Sequence, residues 1–186
     1  MTPSPTVPGS QARIRRTAAL IRGLCVLGAA TLLLLPPWFW NDAEWVARAA
    51  RRQWFDANLS LMQLDAGSRL AGLAASMLQC VAGLWALWEI WRLFGCFAAG
   101  EVLAPQPARH VRRLGWSLIA LAVTMPLSDT LAVLALTWGN PPGHRQLMLA
   151  VSGEHYAALL FGLVLMALGS VLAEAARIAR EHSEFV

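Results

Sequence analysis

The chain has 186 residues, of which 57% are hydrophobic and 14% charged, well below the roughly 25% charge of soluble domains. Its net charge of +4 comes from fifteen basic residues, all of them arginine, set against eleven acids. Four long apolar stretches leave no room for a separate soluble domain, and the arginines read as topological anchors rather than as a nucleic-acid surface.

Residues 1–17 are the predicted disordered, cytoplasmic N-terminus. Met1 to Gln11 are rich in Pro, Ser and Thr without side-chain charge, a composition that predicts disorder. Arg13, Arg15, Arg16 and Arg22 then flank the first apolar stretch, residues 18–40. A signal peptide is the competing reading. However, the apolar run ends in Pro36-Pro37-Trp38-Phe39-Trp40 without a small-residue cleavage site at the usual distance, so the sequence predicts an uncleaved transmembrane helix.

The external connection, residues 41–69, holds four arginines and four acids. Asn41-Asp42 resembles a helix N-cap, with Glu44 placed to favour the helix dipole. Trp45, Val46, Ala49 and Trp54 recur at helical spacing between arginines, which predicts a short interfacial helix.

The second, third and fourth transmembrane helices are predicted over residues 70–91, 114–138 and 156–173. They are joined by a cytoplasmic connection, 92–113, and an external loop, 139–155, and are followed by a cytoplasmic tail, 174–186. Stretches near 18–20 apolar residues cross about 30 Å of hydrocarbon as helices, because unsatisfied backbone groups are too costly in lipid. Ten arginines fall on the side of the termini and five on the other, so both termini are expected in the cytoplasm. Trp38, Trp40 and Trp138 are expected to mark the outer interface, and Trp91 and Trp116 the inner one. The fold class is all-α, a polytopic four-helix membrane bundle.

Two stripes of small or polar residues, Gly72/Ser76/Gln79/Gly83 and Ala158/Gly162/Gly169/Ala173, are expected to face the bundle interior. Asp129 is the sharpest single residue, since a carboxylate well inside a span is costly and marks a site by default. It lies nine residues from Trp138, as Thr31 does from Trp40 and Gln79 from Leu70. At about 1.5 Å per residue the three reach a similar depth, roughly 13 Å. They form a candidate polar cluster, which either glues helices together or handles an ion, a proton or a substrate. Pro126, just ahead of Asp129, is expected to kink the third span. Glu89, near the inner end of the second span, is expected to pair with Arg92 or Arg22. Cys25, Cys80 and Cys96 lack paired spacing and read as packing residues. The scattered histidines predict no metal site, and no motif implies a cofactor or an enzyme.

The stretch Leu93 to Trp116 reads LFGCFAAGEVLAPQPARHVRRLGW, and the chain ends in GLVLMALGSVLAEAARIAREHSEFV. Leu93-Phe94, Gly100-Glu101, Arg112-Arg113-Leu114-Gly115-Trp116 and the segment Glu174 to Val186 together resemble the bacterial four-helix membrane proteins grouped as Domain of Unknown Function 2975. Leu103 stands where phenylalanine is commoner in that family, and Ala175 where glycine is. The resemblance covers roughly the last hundred residues. It implies a protein of the bacterial inner membrane, without established chemistry, whose gene often neighbours one for a small helix-turn-helix regulator. That context leads to the expectation of a non-enzymatic regulatory partner, docking the regulator through Arg109, Arg112, Arg113, Arg177 and Arg180 and touching no nucleic acid itself. The alternative is a small transporter, channel or membrane-stress protein built on Asp129. A homo-oligomer is compatible with either.

Overall fold

Five helices make up most of the computed structural model, which describes residues 8–53, 64–101, 104–145, 147–149 and 151–184. They are α1 (Pro8–Asn41), α2 (Ala43–Gln53), α3 (Ala66–Ala98), α4 (Pro105–Thr137) and α5 (Gly153–Glu184). No strand occurs among the described residues. Four of the helices, all but α2, are long and apolar enough to cross a membrane. The protein is a multi-pass membrane helix bundle.

Local chemistry sets the helix ends. Asp42 Oδ1 accepts from the backbone N–H groups of Glu44 (2.8 Å) and Trp45 (3.2 Å), which starts α2 where the Asn-Asp pair predicted a cap. Asp65 does the same for α3 through the N–H of Ser68 at 2.9 Å. These hydrogen bonds, from the side chain of Ser68 first and then its backbone, hold the Asp65 carboxyl below its ordinary range. At the far end of α3, Gly100 takes a positive φ of 84°. Gly100 N–H donates to Phe97 O (3.1 Å) and Glu101 N–H to Cys96 O (3.0 Å), a paired closure that a left-handed glycine makes possible. Pro105 then opens α4, at a position where its missing N–H costs no helical bond.

Contacts between the spans pair early residues of one helix with late residues of the next. Leu32 meets Gly83 and Leu87 meets Gly28 across α1 and α3. Ser128 reaches Ala75 and Glu89 reaches His110 across α3 and α4. Gly115 meets Gly162 across α4 and α5. Consecutive spans are therefore antiparallel neighbours, in the order α1, α3, α4, α5. Both termini lie at one end of the bundle, here the termini end, and α2 lies at the other.

Three expectations change. First, α1 begins at Pro8, so residues 8–17 are helical rather than disordered. The reason is physical: Pro8 suits a first turn, and the Gln, Ala, Arg and Ile that follow extend a helix already nucleated by the span. Met1 to Val7 lie outside the described residues, as do Trp54, Leu103 and the terminal Phe185-Val186 pair. Second, Trp40 is no interface residue: only 6% exposed, it joins Val46, Ala50, Ala75, Ala132 and Leu136 in one buried cluster. Its indole lies against Gly72, where any Cβ would come within 2.2 Å of the ring, and its Nε1 donates to Ser76 Oγ at 2.9 Å. Third, one member of the two small-residue stripes, Ala173, turns away from the bundle interior. Gly72, Ser76 and Gly83 receive α1 side chains, whereas Gly162 and Gly169 receive the α4 backbone. Among the described side chains of α5 the buried positions are His155, Gly162, Gly169 and Ala176, and Ala173 faces outward.

Candidate functional site

Pro36, Phe39 and Trp40 of α1, Val46, Ala49 and Ala50 of α2, and the facing stretches of α3 and α4 enclose a cavity of about 290 Å³ at the α2 end. Capped by Asp42, α2 turns Val46 and Ala50 inward onto Trp40 and Leu136. It thus roofs the cavity, while Trp45 on its outer side stays exposed and lies near Trp38, 5.7 Å between ring centres. The short helix expected from the sequence is present, and its apolar side packs on the protein core.

Four polar side chains line the cavity: Ser76 and Gln79 from α3, Ser128 and Asp129 from α4. Two are already committed. Ser76 Oγ donates to Gly72 O at 3.0 Å while accepting from Trp40, and Ser128 Oγ donates to Ala75 O at 2.9 Å. These hydroxyls tie helices together, with Ser128 bound to the backbone of the neighbouring span. Asp129 and Gln79 remain as the groups able to meet a guest. No hydrogen bond joins them to one another among the described residues. His155, buried at the start of α5, is near enough to act electrostatically on Asp129. Its Nδ1 accepts the N–H of Ser152 at 2.9 Å, which leaves the Nε2 edge to carry the proton when the ring is neutral.

The predicted trio is therefore brought together only in part. Thr31 stands outside the cavity, on the exposed side of α1, where its hydroxyl donates to its own helix at Leu27 O (3.0 Å). Depth along a helix places two residues at one height, but says nothing of the direction each faces. Gln79 also lines a second, more open cleft of about 740 Å³ between α1, α3 and α4, and Thr31 borders that one. A larger groove of about 810 Å³ runs along the opposite side of the α3–α4 seam, lined chiefly by alanine and leucine with Asp65 and Ser68 at its mouth. Around Asp129 the chemistry on offer is one carboxylate, one amide and a nearby imidazole against apolar walls. That set can hold a proton or a small cation. No group of three or more His, Cys, Asp or Glu placed to hold a metal ion occurs among the described residues.

A second polar centre was missed by the sequence reading. Glu89 pairs neither with Arg92 nor with Arg22. Its Oε2 lies 2.7 Å from His110 Nδ1 on α4, and Trp85 Nε1 donates to its Oε1 at 3.3 Å. Glu89 and His110 are 4% and 8% exposed, so this is a buried cross-helix pair at the termini end. Burial decides the pairing, because the arginines would have had to bring solvated guanidinium groups into the α3–α4 seam. The signal was present in the sequence: Glu89 stands eleven residues before Gly100 and His110 ten after it, so an antiparallel turn brings them level.

The arginines of the termini end divide into two groups. Arg109, Arg112 and Arg113 are exposed on the first turns of α4 and make no ion pair among the described residues. Arg177 is engaged within α5, contacting Glu174 through Nε (3.1 Å) and through a short Nη2 contact, and Glu181 through Nη1 (3.0 Å). Arg180 is exposed on the same helix. The two groups are braced together where α5 passes α4: a Cβ on Gly169 would lie 2.8 Å from the Arg112 backbone nitrogen.

A family described as "Protein of unknown function (DUF2975)" matches residues 38–186, which takes in α2 to α5 and the last turn of α1. The chain belongs to this family. The match reaches well before the last hundred residues that carried the resemblance, and so includes the α2 roof and every residue of the cavity except Leu35 and Pro36. No curated protein and no solved structure matches the chain.

Proposed function

We propose that this family member is a non-enzymatic regulatory protein of the bacterial inner membrane, with both termini in the cytoplasm, that docks a small helix-turn-helix regulator on its termini end. The observation that carries the reading is the braced pair of helix ends. Because α5 extends as an unbroken helix to Glu184 and is held against α4 at Gly169, the arginines of α4 and the charged ladder of α5 share one stiff surface. A preformed surface needs no ordering on binding, which favours recognition of a folded partner. Arg109, Arg112 and Arg113 suit an acidic patch on that partner. Arg177, neutralised by two glutamates, contributes shape more than charge. The regulator itself comes from the gene context that the family resemblance implies.

The test is a crosslinked pull-down of the tagged protein from its native membranes, read by mass spectrometry. A small DNA-binding protein should co-purify and should be lost when Arg109, Arg112 and Arg113 are changed together to Gln. Recovery of membrane neighbours alone would overturn the reading.

The cavity favours a second reading, a small transporter, channel or membrane-stress protein using Asp129. Its support is that Asp129 and Gln79 line the same half-open cavity beneath α2. Asp129→Asn separates the two: it should leave regulator binding intact but abolish any proton- or cation-coupled flux measured in liposomes.

A further inference from the structure

Between α1 and α3, toward the termini end, four side chains form an arrangement that neither reading uses. Trp88 and Trp91, one turn apart on α3, stack with ring centres 5.4 Å apart and planes inclined by 16°. Arg22 of α1 places its guanidinium carbon 4.1 Å from the centre of the Trp91 ring, and Arg92 lies 5.8 Å from that of Trp88. Each indole thus has an indole neighbour and a guanidinium over it, and two positive charges are braced on one aromatic pair.

Neither cation has an acidic partner among the described residues. Glu89, the nearest acid in sequence on α3, is occupied by His110 and Trp85. In addition, Arg22 Nε is shut off from solvent and has no hydrogen-bond acceptor. A buried donor left unmet is costly, and a guanidinium without an acidic partner at the edge of the bilayer calls for a counterion. Beside this pair runs a groove of about 580 Å³, lined by Cys25, Val26, Ala29, Leu84, Leu87 and the indoles of residues 85, 88 and 91. No charged side chain lines it, and Trp85 and Trp88 open toward the bilayer, 40% and 54% exposed.

We infer that this groove holds one glycerophospholipid with a net negative headgroup, its phosphate on Arg22 and Arg92 and an acyl chain along the groove. The pattern of contacts selects the headgroup. A choline-type ammonium would need an indole face to itself, and guanidinium groups already lie over both rings. It would also be repelled by two unpaired cations. An anionic headgroup instead supplies acceptors to the terminal guanidinium N–H groups and neutralises the cations, while arginine's planar fork matches phosphate oxygens. Apolar walls beneath the headgroup distinguish a lipid from free phosphate.

The experiment is native mass spectrometry of the full chain in detergent, titrated with phosphatidylglycerol or with phosphatidylcholine of the same chains. Thermal shift is followed in parallel, with inorganic phosphate as a third probe. One phosphatidylglycerol per chain should be retained and should raise the melting temperature. Phosphatidylcholine and inorganic phosphate should not. Arg92→Gln changes an exposed side chain and should weaken retention about tenfold, the scale of losing one charge-assisted contact. Arg22→Gln should weaken it at least as much, and Arg145→Gln at the α2 end should not. Equal retention of the two lipids, wild-type binding by Arg92→Gln, or stabilisation by inorganic phosphate alone would overturn the inference.

Discussion

Two seams of this bundle use glycine for opposite purposes. Between α1 and α3, Gly72 makes room for a side chain: the Trp40 indole fills the space and fastens itself to Ser76. Between α4 and α5, Gly115 and Gly162 make room for backbone, each sitting where a Cβ would come within 2.8 Å of the other's carbonyl oxygen. The first seam resembles a core, held by a large buried ring. The second is membrane packing proper, where close approach replaces the hydrophobic effect that lipid removes. A core-like seam therefore has a side chain that can be traded away, and a backbone seam has none.

The largest expected effect is removal of the ring. Trp40→Ala should cost about 3 to 5 kcal/mol, the usual range for emptying a buried aromatic site. The drop should appear in the thermal denaturation of the detergent-solubilised protein. Gly72→Ala alone should also destabilise, since its Cβ would overlap the indole. In the Trp40→Ala background, however, that second change should be close to neutral. Strict additivity in this double-mutant cycle would show that the ring does not occupy the glycine's space.

Next in size is the backbone seam. Gly115→Ala should cost about 1 to 3 kcal/mol by overpacking. Trimming the neighbouring side chain with Met166→Ala should not restore the loss, because the Gly162 carbonyl and the Met166 nitrogen remain in the way. Rescue by Met166→Ala would erase the distinction between the two seams.

The smallest effect lies at the cap that starts α3. The carboxyl of Asp65 is held below its ordinary value of 3.8. Its contribution is therefore present above the unfolded pKa and fades as pH falls through the lower folded one. Asp65→Ala should remove that acid dependence by lowering the thermal midpoint slightly at neutral pH, with variant and parent converging as pH falls. An unchanged acid limb in the variant would mean that the cap does not set it.

The sequence made some of this legible and withheld the rest for identifiable reasons. Length and apolarity announce the four spans, and short connections make neighbours antiparallel. Asp42 was readable because capping depends on a few adjacent residues. Trp40 was misassigned because an indole at the end of an apolar run suits either an interface or a core, and the choice depends on Gly72, 32 residues away. Within the candidate site, Asp129 stood out by its cost in lipid and Gln79 by matching depth. Thr31 matched in depth but faces outward, while Ser128 lies next to Asp129 and went unread because its partner is a backbone carbonyl of α3. The Glu89–His110 pair needed the same reckoning of depth to be applied around the turn at Gly100.

The buried positions of α5, His155, Gly162, Gly169 and Ala176, recur every seven residues. An undistorted α-helix drifts by about 20° over each such interval. A seam of this spacing stays in register only if α4 and α5 wind around each other with a left-handed supercoil. A one-residue insertion between Gly162 and Gly169 would rotate the charged last turns by about 100°, the twist of one helical residue, with every side chain of the platform still present.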